Sequence, residues 1–188
     1  MSLHIPSNAV KANNLSQNQR GVIKGIASGL TLAATSMAMS AYALHPLGAS
    51  LAERASLLAL CLIPPATALT ISIARLAKHR FFTPSDIDGS ALTEGSDRAR
   101  LLQALLQNTL EQVALAVPVY VAWAMLAPAR MLGALVATSG LFLLARLLFY
   151  KRYRSGAAAR SLGFALTFYP TVLLLIGLVP LSLQRVFG

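Results

Sequence analysis

Charged side chains are scarce in this chain of 188 residues, which has 16 Lys and Arg, 6 Asp and Glu, and 12% charged residues in all. A soluble domain carries about a quarter charged residues, so this chain has too little polar surface for a water-soluble fold. Hydrophobic residues make up 56% of it, and its mean hydropathy is +0.63. These values exclude a soluble protein and predict one embedded in a lipid bilayer.

Other features are missing as well. A single cysteine, Cys61, offers no disulfide framework, and three scattered histidines offer no metal site. The chain has no glycine-rich phosphate-binding loop. No segment alternates polar and apolar residues with a period of two, which excludes a membrane barrel. We read the net charge of +10 as a sign of membrane topology and expect no nucleic-acid partner.

Five apolar stretches are long enough to cross a bilayer, which takes about 20 residues in a helix. They are residues 21–44, 55–77, 101–126, 131–150 and 161–183. The sequence therefore predicts an all-α integral membrane helical bundle. Prolines 64, 65 and 118 are expected to kink these helices rather than end them. Residues 1–20, rich in Asn, Ser and Gln, are expected to form a mobile cytoplasmic tail.

The cations divide sharply between the two sides of the predicted bundle. Thirteen of the 16 precede or open the first span, or fall near the second and fourth loops, whereas Arg54, Arg130 and Arg185 lie on the other side. Cytoplasmic loops of membrane proteins are rich in Lys and Arg. We therefore expect a cytoplasmic N-terminus and an outer C-terminus, and the short loops are compatible with a bacterial inner membrane.

The first span, 21–44, allows two interpretations. Its basic leader and the triplet Ala41-Tyr42-Ala43 resemble a cleavable secretory signal. Small residues that recur every fourth position favour a permanent helix instead, since they permit close packing against a neighbour. These are Gly21, Gly25, Gly29 and Ala33.

Glu111 is the only carboxylate inside a predicted span, where a charge costs about 2.5 to 3.5 kcal/mol. Asn108 lies three residues earlier, so both should share a helix face that points into the bundle or a wet cleft. A polar clamp between helices would explain the same pair without any ligand.

A second polar group follows near the end of the fourth span. Arg146, Tyr153 and Arg160 are seven residues apart, and Tyr150 is four from Arg146, so a continuous helix would align them on one stripe. Basic and aromatic residues at a helix end often only anchor it at the headgroups. Arg146, however, lies within the apolar run and needs an anion, either Glu111 or a ligand carboxylate.

The segment 106–112, LQNTLEQ, contains Asn-x-x-Glu and resembles the signature on the second core helix of the MAPEG family (membrane-associated proteins in eicosanoid and glutathione metabolism). Arg146 followed by Tyr153 and Arg160 is similar to that family's Arg…Tyr…Arg pattern. Both patterns together are more specific than either alone. The resemblance covers residues 55–185 and implies a four-helix core preceded by one extra N-terminal transmembrane helix, 21–44.

The resemblance implies a homotrimer that binds glutathione as a substrate, without a metal, near the cytoplasmic face. In enzymes of this family an arginine at the position of Arg160 stabilises the glutathione thiolate, so Arg160 is the expected catalytic residue. Residues matching Arg146, Tyr153, Asn108 and Glu111 hold the peptide. The implied activity is a detoxifying glutathione transferase or peroxidase, whose hydrophobic small-molecule electrophile arrives through the lipid.

Two departures from the family pattern favour an alternative function. Ala104 stands where members often have an arginine, and Phe149 stands where the leukotriene-forming synthases have a tyrosine. Phe149 cannot donate a hydrogen bond to sulfur. The alternative is a non-catalytic lipid-binding or scaffolding protein of the same fold. A small transporter ranks last, because paired broken half-helices are missing.

Overall fold

Five long helices form the protein in a computed structural model that describes residues 15–44, 48, 50–89 and 94–187, without the side chains of 185 and 186. The helices are α1 (Gln17–Ala43), α2 (Leu51–Phe81), α3 (Asp97–Leu126), α4 (Leu132–Arg152) and α5 (Ala157–Phe187). Each is long and apolar enough to cross a membrane. The chain is an all-α integral membrane helical bundle, as its composition predicts. Residues 1–14 of the expected tail lie outside the described residues.

Serine side chains fix the starts of three helices. Ser16, Ser50 and Ser96 each accept a hydrogen bond from a backbone N–H in the first turn of α1, α2 and α3. Such caps satisfy donors that have no partner within the helix. Prolines 64, 65 and 118 lie inside α2 and α3, so these helices continue through them as predicted.

Consecutive helices run in opposite directions. The starts of α1, α3 and α5 and the ends of α2 and α4 therefore lie together at one end of the bundle. The cations whose side chains the structure describes lie at or near this end, apart from Arg54 and Arg130. We call this the cation-rich end. At the opposite end, Arg54 Nη1 donates 2.8 Å hydrogen bonds to the carbonyls of Ala124 and Ala127 and so caps the end of α3.

The face of α1 that carries small residues packs against α5. A Cβ atom added at Gly21 or Gly29 would lie 2.6 or 2.5 Å from the Cβ of Ala158 or Ala165, respectively. Ala33, on the same face, is fully buried. The two helices therefore run parallel and in close contact, and the close contact is the part that the spacing of small residues predicts. This contact brings the first turns of α1 next to the α4–α5 junction.

Candidate functional site

A cavity of about 350 Å³ opens near the cation-rich end, between α1, α3 and the α4–α5 junction. Asn108, Tyr153 and Arg160, three of the residues that the sequence singles out, line this cavity. Its apolar wall includes Val22 and Ile26 of α1. We refer to it as the junction cavity. The structure thus places three polar side chains from separate parts of the sequence around one space.

The chain bends sharply between Tyr153 and Arg160. Helix α4 ends at Arg152, a 3-10 turn follows, and Gly156 has a φ of +96°, a conformation that side chains disfavour. The chain therefore does not form the continuous helix that would align Arg146, Tyr153 and Arg160 on one stripe, and it breaks between the fourth and fifth predicted spans. The reversal nevertheless brings Tyr153 and Arg160 together. The guanidinium carbon of Arg160 lies 4.3 Å from the centroid of the Tyr153 ring.

Close packing of α4 and α5 makes this reversal tight. A Cβ at Gly163 would lie 2.7 Å from the backbone nitrogen of Phe149, so only glycine permits this approach. The ring of Phe149 faces the junction cavity and meets the Tyr153 ring edge to face, with centroids 5.3 Å apart. Tyr153 is therefore held between an aromatic ring and a cation, which fixes its orientation at the cavity.

Arg146 is completely buried beside the junction cavity. Its Nη2 donates to Asn108 Oδ1 at 2.9 Å and to Thr109 Oγ1 at 3.3 Å. The guanidinium carbon also lies 4.2 Å from the centroid of the Phe149 ring. Its Nε and Nη1 atoms have no hydrogen-bond partner among the described residues. Buried donors without a partner cost free energy, so this arginine retains unused binding capacity.

Tyr150 supports Arg146 from the side of α2. The Tyr150 hydroxyl contacts Ser72 Oγ, bonds Thr109 Oγ1 at 2.8 Å and donates to the carbonyl of Ala68 at 3.3 Å. This network joins α2, α3 and α4 directly beneath the site. The sequence reasoning missed Ser72 and Thr109; a polar residue in the middle of an apolar stretch is the signal that could have identified them.

Glu111 does not reach the junction cavity. Its side chain is exposed, accepts a 3.0 Å hydrogen bond from Gln107 Nε2 and makes no ion pair with Arg146. The helix register explains this position. Thr109 and Gln112 occupy the buried face of α3, and Glu111 is about 100° around the helix from Gln112, so its side chain points away from that face. The expectation that Asn108 and Glu111 both point into the bundle therefore holds for Asn108 alone.

The loop between α2 and α3 contains a buried carboxylate. Asp86 is only 2% exposed and accepts hydrogen bonds from Ser96 N at 2.8 Å and Ser96 Oγ at 2.6 Å. His79 Nε2 lies 2.9 Å from Asp86 Oδ2. The hydrogen bonds from Ser96, and after them the contact with His79, hold the pKa of Asp86 below its usual value. This cluster ties the end of α2 to the start of α3.

Comparison with known proteins places the bundle in a family. Residues 55–179, which include most of α2, all of α3 and α4, and most of α5, match the model of the MAPEG family. No curated protein and no solved structure matches the chain. Helix α1, which supplies part of the cavity wall, lies before the matched segment. Since the match covers more than half of the chain, this helical membrane protein belongs to the MAPEG family.

Proposed function

We propose that this protein is a glutathione-dependent membrane enzyme, a transferase or peroxidase that acts on hydrophobic electrophiles. One observation carries the proposal: Asn108, Tyr153 and Arg160, which match the family's glutathione-site pattern, line a single cavity of about 350 Å³. Small-molecule sites have volumes of about 300 to 1,000 Å³. Family membership supports the same chemistry, because the family is defined by glutathione and eicosanoid metabolism.

Arg160 is the proposed catalytic residue. It lies in the first turn of α5, where both its own charge and the positive end of the helix favour an anion. A free thiol has a pKa of about 8.5, and a neighbouring guanidinium lowers it, which raises the fraction of nucleophilic thiolate. The thiol proton would pass to water, and the thiolate sulfur would form a bond to the electrophilic carbon while the bond from that carbon to its leaving group breaks. With a hydroperoxide, the sulfur would attack the outer oxygen as the O–O bond breaks and the alcohol leaves, and a second glutathione would then displace water to give the disulfide. Tyr153, stacked on Arg160, holds this guanidinium in place.

Arg146 and Asn108 are proposed to bind the peptide together. Arg146 holds the Oδ1 atom of Asn108, so the amide N–H group of Asn108 remains free to donate to a ligand in the cavity. A carboxylate of glutathione that reached the Nε and Nη1 atoms of Arg146 would satisfy both unpaired donors. Arg146 would thus orient Asn108 and attract the anionic peptide.

Glu111 fits the proposal through the expected homotrimer. Glu111 and Gln107 lie on an exposed face of α3, outside the junction cavity of their own chain. In a trimer that buried this face, Glu111 would approach the site from the neighbouring subunit. We also propose that the cation-rich end faces the cytoplasm, where its charge would attract glutathione, an anion with two carboxylates.

Helix α1 is proposed to complete the site for the second substrate. Val22 and Ile26 form an apolar part of the lining of the junction cavity, which Arg160 also lines. A hydrophobic electrophile that entered from the lipid would contact this surface while the thiolate stayed beside Arg160. The close packing of α1 on α5 supports a permanent helix rather than a cleaved signal.

Equilibrium binding of glutathione to detergent-purified protein tests the proposal. The wild type should bind saturably and give the ultraviolet signal of a thiolate, whereas Arg160→Leu should lose that signal. Arg154→Leu is the matched control, since Arg154 is an exposed arginine of the preceding 3-10 turn that does not line the cavity. No saturable binding to the wild type would contradict the proposal, and an unchanged signal in Arg160→Leu would remove Arg160 from the mechanism.

The second candidate function is a non-catalytic lipid-binding or scaffolding protein. Phe149 favours it, because this ring lines the cavity and has no hydroxyl to donate to sulfur. This function predicts a lipid that stays bound during purification and no turnover of glutathione with any electrophile. Measuring retained lipid and turnover on the same sample distinguishes the two functions.

A further inference from the structure

A second cavity at the cation-rich end is unusually basic. It has a volume of about 430 Å³ and lies between the last turns of α2 and the first turns of α3. Its described lining includes Arg75 and Lys78 of α2 and Arg98 of α3, with Phe82 and Leu102 as apolar neighbours. We call it the basic cavity. It shares no lining residue with the junction cavity.

Helix periodicity explains why these cations converge. Arg75, Lys78 and Phe82 are three and four residues apart and therefore share one face of α2. Arg98 and Leu102 are four residues apart on the facing side of α3. The geometry is thus a property of two packed helices and not of a mobile loop.

The positive charge of the basic cavity is not neutralised within the described part of the chain. Arg75, Lys78 and Arg98 form no ion pair there, and no acidic residue is among the lining residues. Asp86, on the connecting loop, is occupied by Ser96 and His79, and Asp97, next to Arg98 in sequence, pairs with Arg100. Three like charges around one space repel each other unless an anion binds between them.

Arg75 is held in position by its surroundings. Its guanidinium carbon lies 5.3 Å from the centroid of the Tyr150 ring, and the Tyr150 hydroxyl is fixed by Thr109 and Ala68. An arginine anchored in this way loses less side-chain freedom when it binds a ligand. This anchored arginine distinguishes the basic cavity from a group of loose surface lysines, which would only mark membrane topology.

The geometry points to a binding site for a phosphate group in the basic cavity. The cavity lies where α2 and α3 emerge at the cation-rich end, the depth at which phospholipid phosphates lie if both helices span the bilayer. Guanidinium and ammonium groups bind phosphate oxygens through charge-assisted hydrogen bonds. Phe82 and Leu102 would accommodate the first carbons of an acyl chain, whereas a free phosphate would use the cations alone.

Titration of delipidated, detergent-purified full-length protein tests this site. The probes are dioctanoyl phosphatidylglycerol, dioctanoyl phosphatidylcholine and inorganic phosphate, with bound ligand counted by native mass spectrometry and affinity measured by calorimetry. The cavity variant is Lys78→Gln with Arg98→Gln. The control, Lys151→Gln with Arg154→Gln, removes two exposed cations from the same end without touching the basic cavity.

We expect saturable binding of phosphatidylglycerol or inorganic phosphate, weakened by about tenfold or more in the cavity variant and little changed in the control. Phosphatidylglycerol binding far tighter than inorganic phosphate identifies a lipid headgroup as the source of the phosphate. Equal or tighter binding of inorganic phosphate identifies the free anion. Equal weakening in both variants, or no saturable binding of either anion, overturns the proposal. The outcome is independent of whether glutathione binds.

Discussion

Arg160 stacks on Tyr153 across a reversal of the chain, with the guanidinium carbon 4.3 Å from the centroid of the ring. The two residues belong to different helical segments separated by Gly156, so the contact depends on how α5 packs against α4. It places a fixed cation at the edge of the junction cavity. Any thiol that enters this cavity meets a charge already in position.

Replacing Gly25 with leucine should separate α1 from α5. A Cβ at this position would already collide with the Ser161 side chain, and added bulk in a packed interface costs about 1 to 3 kcal/mol. We expect a lower thermal midpoint of the detergent-solubilised protein. Gly140→Leu is the control, because nothing lies within 4 Å of a Cβ there. An equal fall in the thermal midpoint of both variants would argue against the close α1–α5 contact.

Arg54→Met should destabilise the bundle at the end opposite the cation-rich end. The substitution leaves the carbonyls of Ala124 and Ala127 without their donor, and hydrogen bonds to charged groups contribute about 1.5 to 3 kcal/mol. Arg130→Met removes an exposed charge near the same end and serves as the control. The thermal midpoint in detergent should fall for Arg54→Met alone. An equal fall of the midpoint for Arg130→Met would contradict the cap.

Acidification should loosen the connection between α2 and α3. Because the pKa of Asp86 is lower in the folded protein than its ordinary value of 3.8, the carboxylate stabilises the fold above that value. This stabilisation is lost as the pH falls through the lower, folded-state pKa. The hydrogen-exchange protection of residues 82–89 and 94–96, measured relative to the intrinsic exchange rate at each pH, should therefore fall at the acid end of a titration below about pH 4.

Asp86→Asn provides the test of that assignment, and Asp88→Asn, at an exposed neighbouring position, provides the control. In Asp86→Asn the hydrogen-exchange protection of the loop should be low at every pH. In Asp88→Asn the protection should still fall on acidification. A pH response that persisted in Asp86→Asn would assign it to another group.

Ile26→Trp should narrow the junction cavity from the side of α1. The larger ring would occupy space now lined by Val22 and Ile26, so the largest electrophiles should lose turnover more than the smallest ones. Ile23→Trp changes an exposed position on another face of α1 and is the control. A uniform loss with all electrophiles would indicate damage to the fold rather than a wall of the site.

Much of the fold could be predicted from composition and spacing. The scarcity of charge predicted membrane helices, and the spacing of small residues in α1 favoured a close neighbour, since both signals lie in the local sequence. The site was harder to predict. The partner of Arg146 is Asn108 rather than Glu111 because the register of α3 turns Glu111 outward, and one residue of rotation decides which side chain is buried.

The junction cavity itself could not be read from the pattern of Asn108, Tyr153 and Arg160. A continuous helix would have aligned these residues on one stripe, but α4 ends at Arg152 and Gly156 has a positive φ. The contribution of Val22 and Ile26 depends on packing between the first and last helices, which local periodicity does not encode. Ser72 and Thr109 stood out in the sequence only as polar residues within apolar stretches, and their shared role depends on the packing of three helices.

A structure of the protein with glutathione bound tests the proposed function most directly. We predict that glutathione lies in the junction cavity, with its sulfur beside Arg160 and polar contacts to Asn108 and Tyr153. A carboxylate of the peptide should approach Arg146. Glutathione bound elsewhere on the bundle, or an empty junction cavity at saturating glutathione, would contradict the proposal.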